Sequence, residues 1–176
     1  MTLLLTYLFI ALLVSFVCSV LEGVLLSSTS SYIVSLSNND ILVVVEMLKG
    51  LKSNIDKPIS SILILNTFAH TMGAAGVGAQ AQVLFGDEWQ AAIAFVLTLL
   101  ILYTSEIIPK TIGAIYWKSL LVPAAYLISI MIKITYPFVW VSSILTNYIS
   151  RGKKDEINFS RDEIMAVVSL SEKEGS

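Results

Sequence analysis

The sequence predicts an all-α membrane protein with three transmembrane helices, a belt-like juxtamembrane helix pair and a C-terminal cytosolic amphipathic helix. The first observation behind this is composition: of 176 residues, 56% are apolar and 14% are charged. A soluble domain carries about a quarter of its residues charged. Second, apolar runs long enough to cross about 30 Å of hydrocarbon, roughly 20 helical residues, recur along the chain. Third, the charges sit mainly in the connections and the tail. The formal net charge of −2 therefore says little about partners, and no basic patch suited to nucleic acid is present.

The first apolar run, residues 3–26, has no basic n-region and exceeds the roughly 7–15 residues of a signal-peptide core. It reads as a retained span. It holds Cys18, the only cysteine, which reads as a buried thiol and excludes an intramolecular disulfide, a CxxC redox pair or a zinc cluster. In the link to residue 57, NDILVVVEMLKGLKSN predicts a short surface helix with Asn39 or Asp40 as N-cap and Gly50 near its end. The second span covers residues 58–85, and GDEW at 86–89 leads to the third, residues 90–116. The second span's run TMGAAGVGAQAQ, with Gly73, Gly76 and Gly78, predicts close helix packing within the protomer or across a dimer.

Lys49, Lys52 and Lys57 occupy the first link, only Asp87 and Glu88 the second, and Lys110 and Lys118 follow the third span. The positive-inside tendency then places the N-terminus outside and the C-terminus in the cytoplasm of a plasma membrane. A further crossing by residues 119–149 would put Arg151, Lys153 and Lys154 outside. It would also hold Lys133 at mid-bilayer, at about 2.5–3.5 kcal/mol on insertion scales. We therefore expect two interfacial helices there, divided by Pro123 and Pro137 and bordered by Trp117, Tyr126, Tyr136, Trp140 and Tyr148; a fourth span is the alternative. Residues 1–150 thus form a transmembrane domain. Residues 151–176 form a cytosolic linker helix, opened by Ser160 and Glu163 in capping-box spacing and expected to lead into a regulatory domain beyond this chain.

The chemistry concentrates where the third span ends, in YTSEIIPKT. Pro109 has no N–H, so the Ser105 carbonyl loses its helical donor near the depth of the Glu106 carboxylate. In hydrocarbon these oxygens must meet protein, water or a cation. The first span adds Ser19 and Glu22 at i, i+3, and the second adds Asn66 and His70 at i, i+4. On the expected topology all of these lie in the inner half of the bilayer. A sulfur-free set of carboxylate, hydroxyl, amide and carbonyl oxygens suits a hard cation such as Mg²⁺ or Na⁺. Glu106, Ser19, Asn66 and Ser105 are the candidate ligands. Glu22, His70 and Lys110 are candidate coupling groups, with Lys110 reaching toward the cytoplasm, and His70 reads as a hydrogen-bonding residue. No Ser/His/Asp set, pair of intramembrane aspartates or HExxH occurs, so an enzyme is not expected.

YTSEIIPKTIG, with CSVLEG, LNTFAHTMGAAGVG and DEIMAVV, resembles the transmembrane domain of the CNNM/CorC magnesium transporters, and the resemblance spans essentially the whole chain. It implies a homodimer in a bacterial or archaeal plasma membrane. Each protomer would have three membrane helices, a belt helix and an acidic linker into an ATP-binding CBS-pair domain. It also implies a cation site open to the cytoplasm that carries Mg²⁺ outward in exchange for Na⁺. Ser19, Asn66, Glu106, Pro109 and Lys110 match the signature. Ser105 stands where the family often has Gly, and His70 where Asn is common. The function expected is Mg²⁺ efflux by alternating access. Its alternatives are a membrane-embedded Mg²⁺-binding regulatory or scaffold protein without transport, and a passive channel.

Overall fold

The computed structural model describes residues 1–36 and 42–150, and every described element is helical. Residues Met1–Trp140 form one compact unit, and the chain from Val141 belongs to a second. The tail helix expected after residue 150 lies outside the described residues, as does the expected N-cap at Asn39 or Asp40.

Helix α1 spans Thr2–Ser27. It stops because Ser28 turns extended while its N–H returns to the Val24 carbonyl and its hydroxyl donates to the Leu25 carbonyl at 2.8 Å. Thr29 then caps α2, Ser30–Ser35, by accepting from the Tyr32 N–H. Helix α3, Leu42–Ser53, runs past Gly50 and buries Val44, Val45, Leu48 and Leu51, the one-sided stripe of a helix lying on a surface.

Helix α4, Asp56–Phe85, is unbroken through its glycines. Gly86, with φ 83°, ends it in a conformation that favours glycine. A short 3₁₀ turn, Asp87–Trp89, leads into α5, Gln90–Ile101. The third stretch then widens into a π turn over Leu102–Ile107 before α6, Ile108–Ile115.

Helix α7, Trp117–Ser150, departs from the expected helix pair, because it is one helix with Pro123 and Pro137 inside it. Proline's fixed φ is itself helical, so each ring removes one hydrogen bond without forcing a turn. Packing along one face, through Leu121, Ala124, Ala125 and Ile128, keeps the segment whole. By length and composition four helical stretches among the described residues suffice to cross a membrane: Thr2–Ser27, Asp56–Phe85, Asp87–Ile115 and Trp117–Val141.

The apolar core gathers Cys18, Leu21, Val24 and Leu25 of α1 with Ile33, Ile62 and the buried faces of α3 and α7. Elsewhere large side chains such as Phe9, Met72, Val83 and Phe95 are exposed, an inside-out pattern that suits a hydrocarbon surround. Tyr32 and Trp117 meet edge to face at 4.9 Å, with the Lys118 Nζ 5.4 Å from the Tyr32 ring centre. Such aromatic and cationic groups fit the headgroup boundary.

Candidate functional site

The site is assembled by the way α1 meets α4 and α6. On the α4 side, a Cβ on Gly73 would strike Ala11, and one on Gly76 would strike the Tyr7 ring. These glycines set the distance between the two antiparallel helices. Gly78, also expected to pack, meets nothing within 4 Å and lines an open groove between α4 and α5. From Tyr7–Gly76 and Ala11–Gly73 the same register brings Ser15 opposite His70, where Ser15 Oγ and His70 Nε2 are 2.5 Å apart. One turn further on, it brings Ser19 to the level of Asn66.

On the other side α1 and α6 touch backbone to backbone. A Cβ on Gly113 would collide with the Val20 carbonyl and lie 3.1 Å from the Val24 N, and one on Gly23 would collide with the Lys110 carbonyl and lie 3.1 Å from the Ala114 N. This approach carries the π turn against the middle of α1.

The widened turn and Pro109 act together. The Ile108 N–H reaches back five residues to the Tyr103 carbonyl, and Pro109 offers no N–H to the turn before it. The Ser105 carbonyl is met from outside its own helix, by the Ser15 hydroxyl at 3.3 Å. A hydroxyl has one proton, so while Ser15 donates it to this carbonyl, His70 Nε2 must be the donor toward Ser15. The hydroxyls of Ser105 and Thr104 bond back to the carbonyls of Ile101 and Leu100, at 2.8 and 2.6 Å. Ser105 is wholly buried.

Two oxygens stand out against this network. Ser19 Oγ and Asn66 Oδ1 are buried side-chain atoms with no hydrogen-bond partner, although Ser19 is 0% and Asn66 7% exposed. An unmet buried polar atom costs about 1–3 kcal/mol, so each needs a reason to be there. The half-buried Glu106 carboxylate is in the adjoining π turn and has no hydrogen bond or ion pair among the described residues. Glu22 differs: its Oε1 holds Lys110 Nζ at 3.0 Å, in a pair whose side chains are 27% and 44% exposed. One carboxylate of the region is thus paired by a lysine and the other is left open.

The candidate ligands Ser19, Asn66, Ser105 and Glu106 therefore come from three elements, α1, α4 and the π turn, with α1 packed against both of the others and Ser15 linking His70 to the Ser105 carbonyl. Among the described residues no group of three His, Cys, Asp or Glu side chains forms. The available donors are neutral oxygens and one carboxylate, which suit a hard cation and not a soft one. Sequence reading missed Ser15, although its i, i+4 spacing to Ser19 put both on one face. It also missed the Gly23–Gly113 crossing, signalled only by glycines in helical surroundings.

A family model for the Cyclin M transmembrane N-terminal domain matches residues 6–176. Among curated proteins, the UPF0053 protein sll1254 of Synechocystis sp. is 32% identical over 169 residues, which cover 95% of this chain and 48% of that protein. The UPF0053 inner membrane protein YfjD of Escherichia coli is 30% identical over 122 residues, 66% of this chain and 28% of its own length. A UPF0053 protein of Haemophilus influenzae is 29% identical over 119 residues, 65% and 28% respectively. The chain thus spans about half the length of the first of these relatives and less of the other two.

Proposed function

Because the chain is an integral membrane protein that belongs to the CNNM family, we propose that it moves a divalent cation, Mg²⁺, across the bilayer. The observation that carries the proposal is the pair of orphaned oxygens, Ser19 Oγ and Asn66 Oδ1, on helices α1 and α4, with the open Glu106 carboxylate in the π turn that packs on α1. In a low-dielectric setting this arrangement is costly empty and favourable around a small cation.

Glu106 supplies the negative charge. Ser19, Asn66 and Ser105, the last through its carbonyl, replace water oxygens as the ion sheds part of its hydration. Ser15 holds that carbonyl in the absence of the ion, and His70 keeps the Ser15 hydroxyl aimed. Lys110 neutralises Glu22, so that one net negative charge faces the ion. Mg²⁺ enters from the cytoplasm and leaves outward by alternating access, with Na⁺ as the counter-ion. In this reading α1, α4 and the α5–α6 stretch are the three spans, and α7 lies along the inner face. The protein works as a homodimer whose full-length form continues through the 151–176 linker into an ATP-binding CBS-pair domain.

Proteoliposomes loaded with a Mg²⁺ indicator test the proposal. The wild type is expected to conduct a Mg²⁺ flux that Glu106→Gln abolishes, while both proteins keep the same helical content. Equal flux in the two would move the site elsewhere. Mg²⁺-dependent protection against unfolding with no flux would make the chain a Mg²⁺-binding regulator, and unitary currents would make it a channel.

A further inference from the structure

A second polar feature lies apart from the cation site, between α2 and α3, in the connection that joins the end of α1 to the start of α4. Ser30, Ile33 and Val34 from α2 and Lys49, Lys52 and Ser53 from α3 line a cavity of about 270 Å³. Lys49 and Lys52 are spaced i, i+3 and so project from one face of α3. Neither forms an ion pair among the described residues, whereas Lys110 does. Burial lowers the Lys52 pKa below the ordinary lysine value, so its charge is held at a cost that no anion among the described residues offsets.

The hydroxyls complete the set of donors. Ser53 Oγ donates to the Gly50 carbonyl at 3.0 Å, and the Ser30 hydroxyl has no partner among the described residues. Val34 on the lining is 56% exposed, and Leu42 and Val43 at the start of α3 are 60% and 73% exposed. In an integral membrane protein such residues beside paired lysines mark the level where acyl chains give way to headgroups.

We propose that this cavity binds the phosphate of an anionic phospholipid, with Lys49 and Lys52 gripping the phosphate oxygens, Ser30 donating a hydrogen bond and the exposed side chains of Val34, Leu42 and Val43 lying against the acyl chains. Two ammonium groups and a hydroxyl match a phosphodiester's charge and acceptors. Free inorganic phosphate offers the same chemistry without the chains, and the exposed apolar side chains of α2 and α3 favour the lipid. Since α3 packs into the core that also holds Cys18, Leu21 and Val24 of α1, an occupied cavity braces the helix that carries Ser15 and Ser19. This inference does not depend on transport.

Thermal unfolding of the full chain in nanodiscs tests it. Phosphatidylglycerol discs are expected to raise the midpoint by several degrees over phosphatidylcholine discs, an effect that Lys49→Gln/Lys52→Gln removes. Headgroup affinity, read by native mass spectrometry, should fall roughly 30-fold in that variant, from about a fivefold loss per lysine near the surface. The charge-matched Lys57→Gln/Lys118→Gln should keep most of the gain. Equal loss in both variants would reduce the effect to general surface charge, and equal midpoints in the two lipids would remove the site. Millimolar inorganic phosphate reproducing the gain in phosphatidylcholine would overturn the lipid as occupant.

Discussion

Replacing Gly113 by alanine should separate the helices that build the proposed cation site. The new Cβ would meet the Val20 carbonyl and lie 3.1 Å from the Val24 N; both are backbone atoms that no rotamer change can move aside. Relief requires α6 to move away from α1. Overpacking of this kind costs about 1–3 kcal/mol, and an opening of about 0.5–1 Å forfeits about a quarter to a half of each dispersion contact along the seam. The Ser15–Ser105 hydrogen bond, already 3.3 Å long, would be lost with it. Gly78→Ala provides the reference, since it meets nothing within 4 Å and should gain about 0.5–1 kcal/mol of helix propensity. Gly113→Ala gains that propensity too, so the difference between the two variants isolates the collision.

Denaturant titration in detergent, followed by the fluorescence of the three tryptophans, should place Gly113→Ala about 1–3 kcal/mol below Gly78→Ala. Mg²⁺ protection should fall in the first and persist in the second. Gly23→Ala/Gly113→Ala should cost less than the sum of its parts, because one separation accommodates both side chains. Equal stability of Gly113→Ala and Gly78→Ala would refute the close α1–α6 approach and the site geometry that rests on it.

Ser19→Ala should have opposite effects in the two states of the protein. Without Mg²⁺ it removes an unmet buried hydroxyl and should stabilise the fold by about 1 kcal/mol; with Mg²⁺ it should lose most of the ion-dependent rise in unfolding midpoint, and a uniform loss in both conditions would assign the hydroxyl to packing. Lys110→Met breaks a partly exposed ion pair, so chemical denaturation should show a loss of about 1 kcal/mol or less, whereas a loss of several kcal/mol would mean that the Glu22 carboxylate is far more desolvated than its exposure indicates.

The helical character and the position of the membrane stretches were legible in the sequence because hydrocarbon leaves a backbone no other way to satisfy its polar groups than to coil on itself. The expectation that Ser19, Asn66 and Glu106 share one depth came from span boundaries and helical spacing alone. Composition could not say how helices meet. That Ser15 faces His70 and the Ser105 carbonyl depends on the α1–α4 register set by Gly73 on Ala11, and on a π turn that re-aims one stretch of the third span.

Proline misled at α7, since its cost is a local hydrogen bond while the reward for continuing the helix is packing with residues far away in sequence. Local physics, acting through desolvation and periodicity, thus determined which segments are helices. The tertiary contacts decided which oxygens are satisfied and which are left open, because that depends on backbone distances of tenths of an ångström between segments some 50–90 residues apart.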